Sequence, residues 1–94
     1  MFAFKEIFMI SFDFTVKDRD GIHARPAGAI IKAVSAFKSD VIIDFKGRSV
    51  SLKGGIFALL GLGIRCGDTF KISVKGEDEK EAAGVISKTF DEFL

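Results

Sequence analysis

The chain has 94 residues, 14 Lys and Arg against 13 Asp and Glu, a single His, Cys and Pro, and 11 Phe with no Tyr or Trp. That length makes one domain, able to bury about 60–65% of the surface its unfolded form exposes. A net charge of +1, with no basic patch and no reading motif, excludes a nucleic-acid binder, and the lone Cys66 excludes an intramolecular disulfide and fits a reducing cytoplasm.

The first ten residues are apolar but interrupted by Lys5 and Glu6. They lack a basic start, a clean apolar run and a small-residue cleavage site, so they read as neither a signal peptide nor a membrane span. Phe2, Phe4, Phe8, Ile10, Phe12, Phe14 and Val16 recur with a period of two, broken by Glu6, and Ser11, Asp13, Thr15 and Lys17 fall between them. That alternation predicts a strand with one buried face. Residues 1–9 stand apart from a single domain over 10–94. They read as a strand extension, a frayed tail, or residues upstream of a true start at Met9. An apolar extended arm is a sheet-edge hazard, so it is expected to be covered or paired, as in a dimer.

Asp18-Arg19-Asp20-Gly21 reads as a loop. From Ala24 to about Phe37, Ala27, Ile30, Ile31, Val34 and Phe37 recur at helical spacing, with Lys32 and Ser35 outward. Val41, Ile43 and Phe45 alternate, a turn follows at Gly47, and Val50 and Leu52 alternate again, which predicts a hairpin running to Lys53 and broken by Gly54-Gly55. Ile56 to Leu62 reads as a short helix, apolar almost all round. Phe70, Ile72 and Val74 mark another strand. Asp78 opens a last helix, with Glu81 placed for a capping box and Ala82, Val85, Ile86, Phe90 and Phe93 as its buried stripe. The order β-α-β-β-α-β-α, with one-faced helices beside alternating strands, implies an α+β fold in which the helices cover one side of a sheet. The eleven phenylalanines read as a Phe-rich core.

Gly21-Ile22-His23-Ala24-Arg25-Pro26-Ala27 holds the only histidine and the only proline, where loop turns into helix. Unpaired N–H groups and the helix dipole at such a start favour an anion. Arg25 adds a planar cation that grips phosphate oxygens. Pro26 costs little in a first helical turn, where its missing N–H has no intrahelical partner. His23 is therefore a candidate phosphoryl acceptor, since one imidazole nitrogen can attack while a neighbour fixes the other. With no second His and no Cys pair, no metal site is expected. Of Ile56, Phe57, Leu59, Leu60, Leu62 and Ile64, some must be exposed, and an exposed apolar patch marks a partner surface.

The segment GIHARPAGAII resembles the active-site segment of HPr, the histidine phosphocarrier family of the bacterial sugar phosphotransferase system. Gly47–Lys53 and Leu62-Gly63-Ile64 resemble its middle hairpin and second helix exit. The resemblance implies an open-faced β-sandwich, a four-stranded antiparallel sheet with three helices on one face. It implies a cytoplasmic, stoichiometric carrier, not an enzyme and without a cofactor. His23 would be phosphorylated on Nδ1 by enzyme I from phosphoenolpyruvate and would pass the group to A components of sugar permeases. Arg25 would neutralise the phosphate, and the N–H groups of Ala24 and Arg25 would bind its oxygens. Ile56, Phe57 and Leu60, with Gly28 and Lys32, would dock the partners.

The chain departs from the family pattern in two places. Either Gly54 or Gly55 falls where many relatives carry a regulatory serine, so the hydroxyl is missing and an HPr-type kinase is not expected to act there. Asp20 would place a negative charge near a phosphorylated His23, disfavouring the phosphoform and making it a better donor, unless Arg19 beside it offsets that charge. The alternative to the carrier is an HPr-like regulatory module that acts by contact with a transcription factor or enzyme. An enzyme turning over a small substrate at His23 is disfavoured, because no acid–base partner or substrate pocket is legible.

Overall fold

Antiparallel pairing brings the alternating segments into register. In the computed structural model, which describes residues 8–94, four strands form one sheet: β1 (Ile10–Thr15), β2 (Asp40–Phe45), β3 (Arg48–Ser51) and β4 (Thr69–Lys75), in the order β1-β4-β2-β3. The suggested arm over residues 1–7 lies outside the described residues; Phe8 and Met9, just before β1, are exposed.

Register places like with like. Phe12 opposes Ile72, Ile72 opposes Ile43 and Ile43 opposes Val50, giving one apolar row across all four strands. The neighbouring rows on this face pair Ile10 with Val74 and Val41, and Phe14 with Phe70. The other face carries Asp13, Lys71 and Asp44 in a row of alternating charge, a favourable cross-strand order. On the same face Thr15 and Thr69 share a hydrogen bond of 2.7 Å between their hydroxyls. The β2–β3 turn is two residues, Lys46-Gly47, both at positive φ (49° and 79°), the backbone twist that a tight hairpin requires.

Three helices cover the apolar face: α1 (Ala24–Ser35), α2 (Ile56–Leu60) and α3 (Glu79–Phe93). Helix α1 buries Pro26, Ala27, Ile30 and Val34, and α3 buries Ala82, Ala83, Ile86 and Phe90. Phe90 locks α3 to the sheet, its ring centroid 5.6 Å from Phe14 and 5.7 Å from Phe70, distances at which tilted aromatic pairs gain beyond area burial. The phenylalanines thus divide between core and surface, because Phe57 is exposed.

Several boundaries differ from the sequence reading. The hairpin ends at Ser51, and Leu52–Gly54 forms a separate 3₁₀ turn. Leu52 is buried, but as a plug beneath α1 rather than as a strand residue. Lys53 donates from Nζ to the carbonyls of Val34 (3.1 Å) and Phe37, capping the end of α1 with a cation. Helix α1 stops at Ser35, two residues before Phe37, where Ala36 N–H and Phe37 N–H turn to the carbonyls of Ala33 and Val34. Helix α2 ends at Leu60, two residues earlier than expected, and Val85 points outward, leaving Ala83 in the interior place.

The expected capping box at Asp78 and Glu81 does not form. The Asp78 carboxylate instead accepts from Lys38 N–H (2.8 Å), Ser39 N–H (2.9 Å) and the Ser39 hydroxyl. It serves the turn between α1 and β2 because Ser39 is buried there and its polar groups need partners. Glu79 takes over locally, accepting from Gly76 N–H at 3.1 Å. The Ser39 hydroxyl, with the Lys38 N–H second, holds the Asp78 carboxyl down from 3.8 to about 2. A depressed carboxyl adds stability above its unfolded value and loses it as pH falls through the folded one. Urea midpoints should therefore fall between about pH 4 and pH 2, and Asp78→Ala should show a smaller fall across that window than the native chain.

Candidate functional site

The site is built from the segment that leaves β1. Val16 is buried and exchanges hydrogen bonds with the α2–β4 loop: its N–H donates to Asp68 O (2.9 Å) and its carbonyl accepts from Gly67 N–H (2.8 Å). The next two N–H groups, of Lys17 and Asp18, both donate to the Leu94 carbonyl at 2.6 and 2.5 Å. Ile22 N–H donates to Ile64 O at 3.1 Å. The loop before His23 is thus tied to the end of α3 on one side and to the exit of α2 on the other.

Gly21 makes the second tie possible. Its φ is +67°, and a Cβ there would lie 2.7 Å from Ile64 O and 2.8 Å from Arg65 Cα. Both the left-handed backbone and the close approach require glycine.

His23 is the N-cap residue of α1, in an extended conformation, and its side chain makes no capping hydrogen bond. Pro26 is the third helical residue, so it lacks one of the N–H groups that would be orphaned in any case. The N–H groups of Ala24 and Arg25 have no carbonyl one turn earlier in the helix. Ala27 N–H is the first to close a helical bond, to His23 O at 2.9 Å. Arg25 is exposed and forms no ion pair among the described residues. An imidazole, a free guanidinium and two free N–H groups therefore meet in one exposed turn, and that set can hold a phosphoryl group.

The acidic neighbour that the sequence predicts, Asp20, is present, and a second carboxylate accompanies it. Asp18 stands beside the ring, with Oδ2 3.8 Å from His23 Nε2. Asp20 joins it: one donor atom each from Asp18, Asp20 and His23 lies within 4.8 Å of the others, which sets two negative charges next to the imidazole. Asp18 faces inward because its Oδ1 accepts from Asp20 N–H (2.8 Å) and its carbonyl from Gly21 N–H (3.0 Å). The pattern of an Asp opening a tight turn was the available signal, since such side chains bond the backbone two residues on.

The α2 segment divides as its composition requires. Leu59, Leu62 and Ile64 are buried, Ile56 and Leu60 are half-buried, and Phe57 is 83% exposed. Helix α1 packs against α2; on α1, Gly28 is half-buried and Lys32 exposed. Arg48 donates to Gly61 O at 3.2 Å, placing a cation at the end of α2. Gly55 is the N-cap residue of α2 with φ +96°, and Gly54 belongs to the preceding 3₁₀ turn. The glycine at the head of the helix is therefore Gly55.

A family model described as "PTS HPr component phosphorylation site" matches residues 10–92. Among solved structures, the phosphocarrier protein HPr from Bacillus anthracis is 27% identical with a TM-score of 0.79, covering 87% of this chain and 96% of that one. The histidine-containing phosphocarrier protein of Mycoplasma is 30% identical with a TM-score of 0.81, covering 85% and 90%. The Bacillus subtilis catabolite repression protein Crh, solved as a swapped dimer, is 30% identical with a TM-score of 0.71, covering 86% and 92%.

Gly21→Ala should strain the loop and part it from Ile64. We expect a loss of more than about 1 kcal/mol in chemical denaturation, together with displaced backbone amide resonances at His23 and Ala24.

Proposed function

This chain belongs to the PTS HPr family of phosphocarrier proteins, and on that premise we propose that His23 accepts a phosphoryl group from phosphoenolpyruvate through enzyme I and hands it to the A components of sugar permeases. The observation that carries this is His23 at the N-cap of α1 with its side chain left out of capping. A polar N-cap side chain ordinarily bonds the helix backbone; here the ring is left for chemistry and the N–H groups of Ala24 and Arg25 for the phosphate. Arg25 neutralises the added charge. Phosphoryl transfer asks mainly for such positioning and electrostatics. The chain is stoichiometric: it is loaded and unloaded once per cycle and turns over no substrate of its own.

Partner docking falls to Phe57, flanked by Ile56 and Leu60, with Gly28 and Lys32 from α1. A phenylalanine this exposed adds little to the fold and much to an interface. Gly55, at the regulatory-serine position, offers no hydroxyl. The nearest one in the hairpin, on Ser51, donates to Asp40 at 2.5 Å and accepts from Lys53 N–H. We therefore assign no kinase regulation to the head of α2. Dimers occur among similar proteins, Crh included, and β1 is an edge strand, so pairing through the segment before β1 is the assembly we propose. The likeness to Crh also supports a regulatory module acting by contact, but His23 and Arg25 at the head of α1 favour the carrier.

Incubation with phosphoenolpyruvate and enzyme I should add one acid-labile phosphate by intact mass, absent from His23→Ala. No phosphate with a cognate enzyme I would bring the regulatory reading forward. Phe57→Ala should leave denaturation midpoints unchanged, because the ring is exposed, and slow phosphorylation roughly tenfold, as for an interface residue worth about 1.4 kcal/mol. An unchanged rate would remove Phe57 from the docking surface.

A further inference from the structure

We propose that Asp18 is a positioning residue for the phosphoryl chemistry of His23: its carboxylate keeps the proton on Nε2 and so makes the phosphorylated ring a competent leaving group. The inference rests on the carrier reading and assigns a role to a carboxylate that the sequence pattern did not single out.

The geometry supports it from three sides. Asp18 is held by its own backbone, whose N–H donates to Leu94 O at 2.5 Å and whose carbonyl accepts from Gly21 N–H at 3.0 Å. Its Oδ1 is occupied by Asp20 N–H at 2.8 Å, which leaves Oδ2 to face Nε2 at 3.8 Å. The separation is within ion-pair range and beyond hydrogen-bond range, so the carboxylate acts on the ring as a fixed charge. Nδ1 is then the nitrogen free to attack. Which imidazole nitrogen carries the proton is set by the neighbour of the other, the role a carboxylate plays behind a catalytic histidine.

The steps balance without moving a proton. The resting ring has its lone pair on Nδ1 and its proton on Nε2. Attack on the phosphorus of phosphorylated enzyme I forms the Nδ1–P bond as the donor's own bond to phosphorus breaks and its electron pair leaves with the donor group; the His23 ring becomes positively charged, with the Nε2 proton retained opposite Asp18. When an acceptor nitrogen attacks the phosphorus, the P–Nδ1 bond breaks, its electron pair returns to Nδ1, and a neutral imidazole departs. Without the Nε2 proton the departing group would be an imidazolate anion, a far poorer one. Asp18 thus favours discharge of the phosphoform. Asp20, the other carboxylate near the ring, repels the phosphate, while Arg25 attracts it from the first turn of α1. The α2–β4 loop meets this region through the backbone of Ile64 and Arg65 against Gly21.

The test compares the native chain with Asp18→Asn. Asparagine keeps the oxygen that accepts from Asp20 N–H and replaces the charged oxygen facing the ring with a neutral amide NH2. Both chains are loaded with enzyme I and phosphoenolpyruvate, freed of donor, and followed by intact mass from mildly acidic to alkaline pH. Near neutral pH the Asp18→Asn phosphoform should survive about two- to fivefold longer, the size expected of a partly exposed ion pair. The two half-lives should converge in acid, where solvent protonates Nε2 in either chain. Asp18→Ala, lacking both oxygens, should show the same convergence. Equal half-lives near neutrality, or a constant ratio at every pH, would overturn the role of Asp18 while leaving the carrier reading in place. Failure of the native chain to take any acid-labile phosphate would overturn both.

Discussion

The apolar rows of the sheet need cover on one face only, and the three helices supply it; that one-sided burial determines where every other part of the molecule goes. The row Phe12, Ile72, Ile43 and Val50 crosses all four strands, so no strand can slip by one residue without turning its apolar set to water. Once α1 lies against those rows, its N-terminus projects at the rim between β1 and the α2–β4 loop. The head of a buried helix is then exposed, and its direction is held by the core behind it.

Three short connections carry that rigidity to the histidine. The Ile22–Ile64 hydrogen bond joins the loop to α2, the Val16–Asp68 bond joins it to β4, and Leu94 receives the N–H groups of Lys17 and Asp18. A loop tied at so few points needs each tie, and only glycine at position 21 lets the strands of chain come that close. The same economy is visible at Lys53 and Asp78. Each satisfies backbone groups of a turn distant in sequence, and each thereby clamps one end of α1 or the turn after it. These two side chains pair backbone groups at the end of α1 and in the turn after it.

The surface carries two kinds of feature that the fold does not need. Phe57 is an apolar ring left in water, and Arg25 is a guanidinium without an ion-pair partner among the described residues. Both are the features on which the proposed carrier role draws. Asp18 is different: it belongs to the loop's own hydrogen bonding and also stands beside the imidazole of His23.

The sequence by itself determined the element order, the one-faced sheet and the meeting of His23, Arg25 and Pro26 at a helix start. These follow from local rules: alternation of two, spacing of three and four, and the fixed geometry of a first helical turn. It also required some of the apolar residues from Ile56 to Ile64 to face water, because a short helix apolar all round cannot bury every side. Only the tertiary structure decided which ones, since burial depends on what α1 leaves uncovered. Only it added Asp18 beside Nε2 to the Asp20 that the chain suggested, sent Asp78 to Ser39 rather than to its own helix, and brought Lys53 to the end of α1. Each of these is a contact whose partner or geometry a distant segment supplies, and spacing along a chain carries no information about what folding brings alongside.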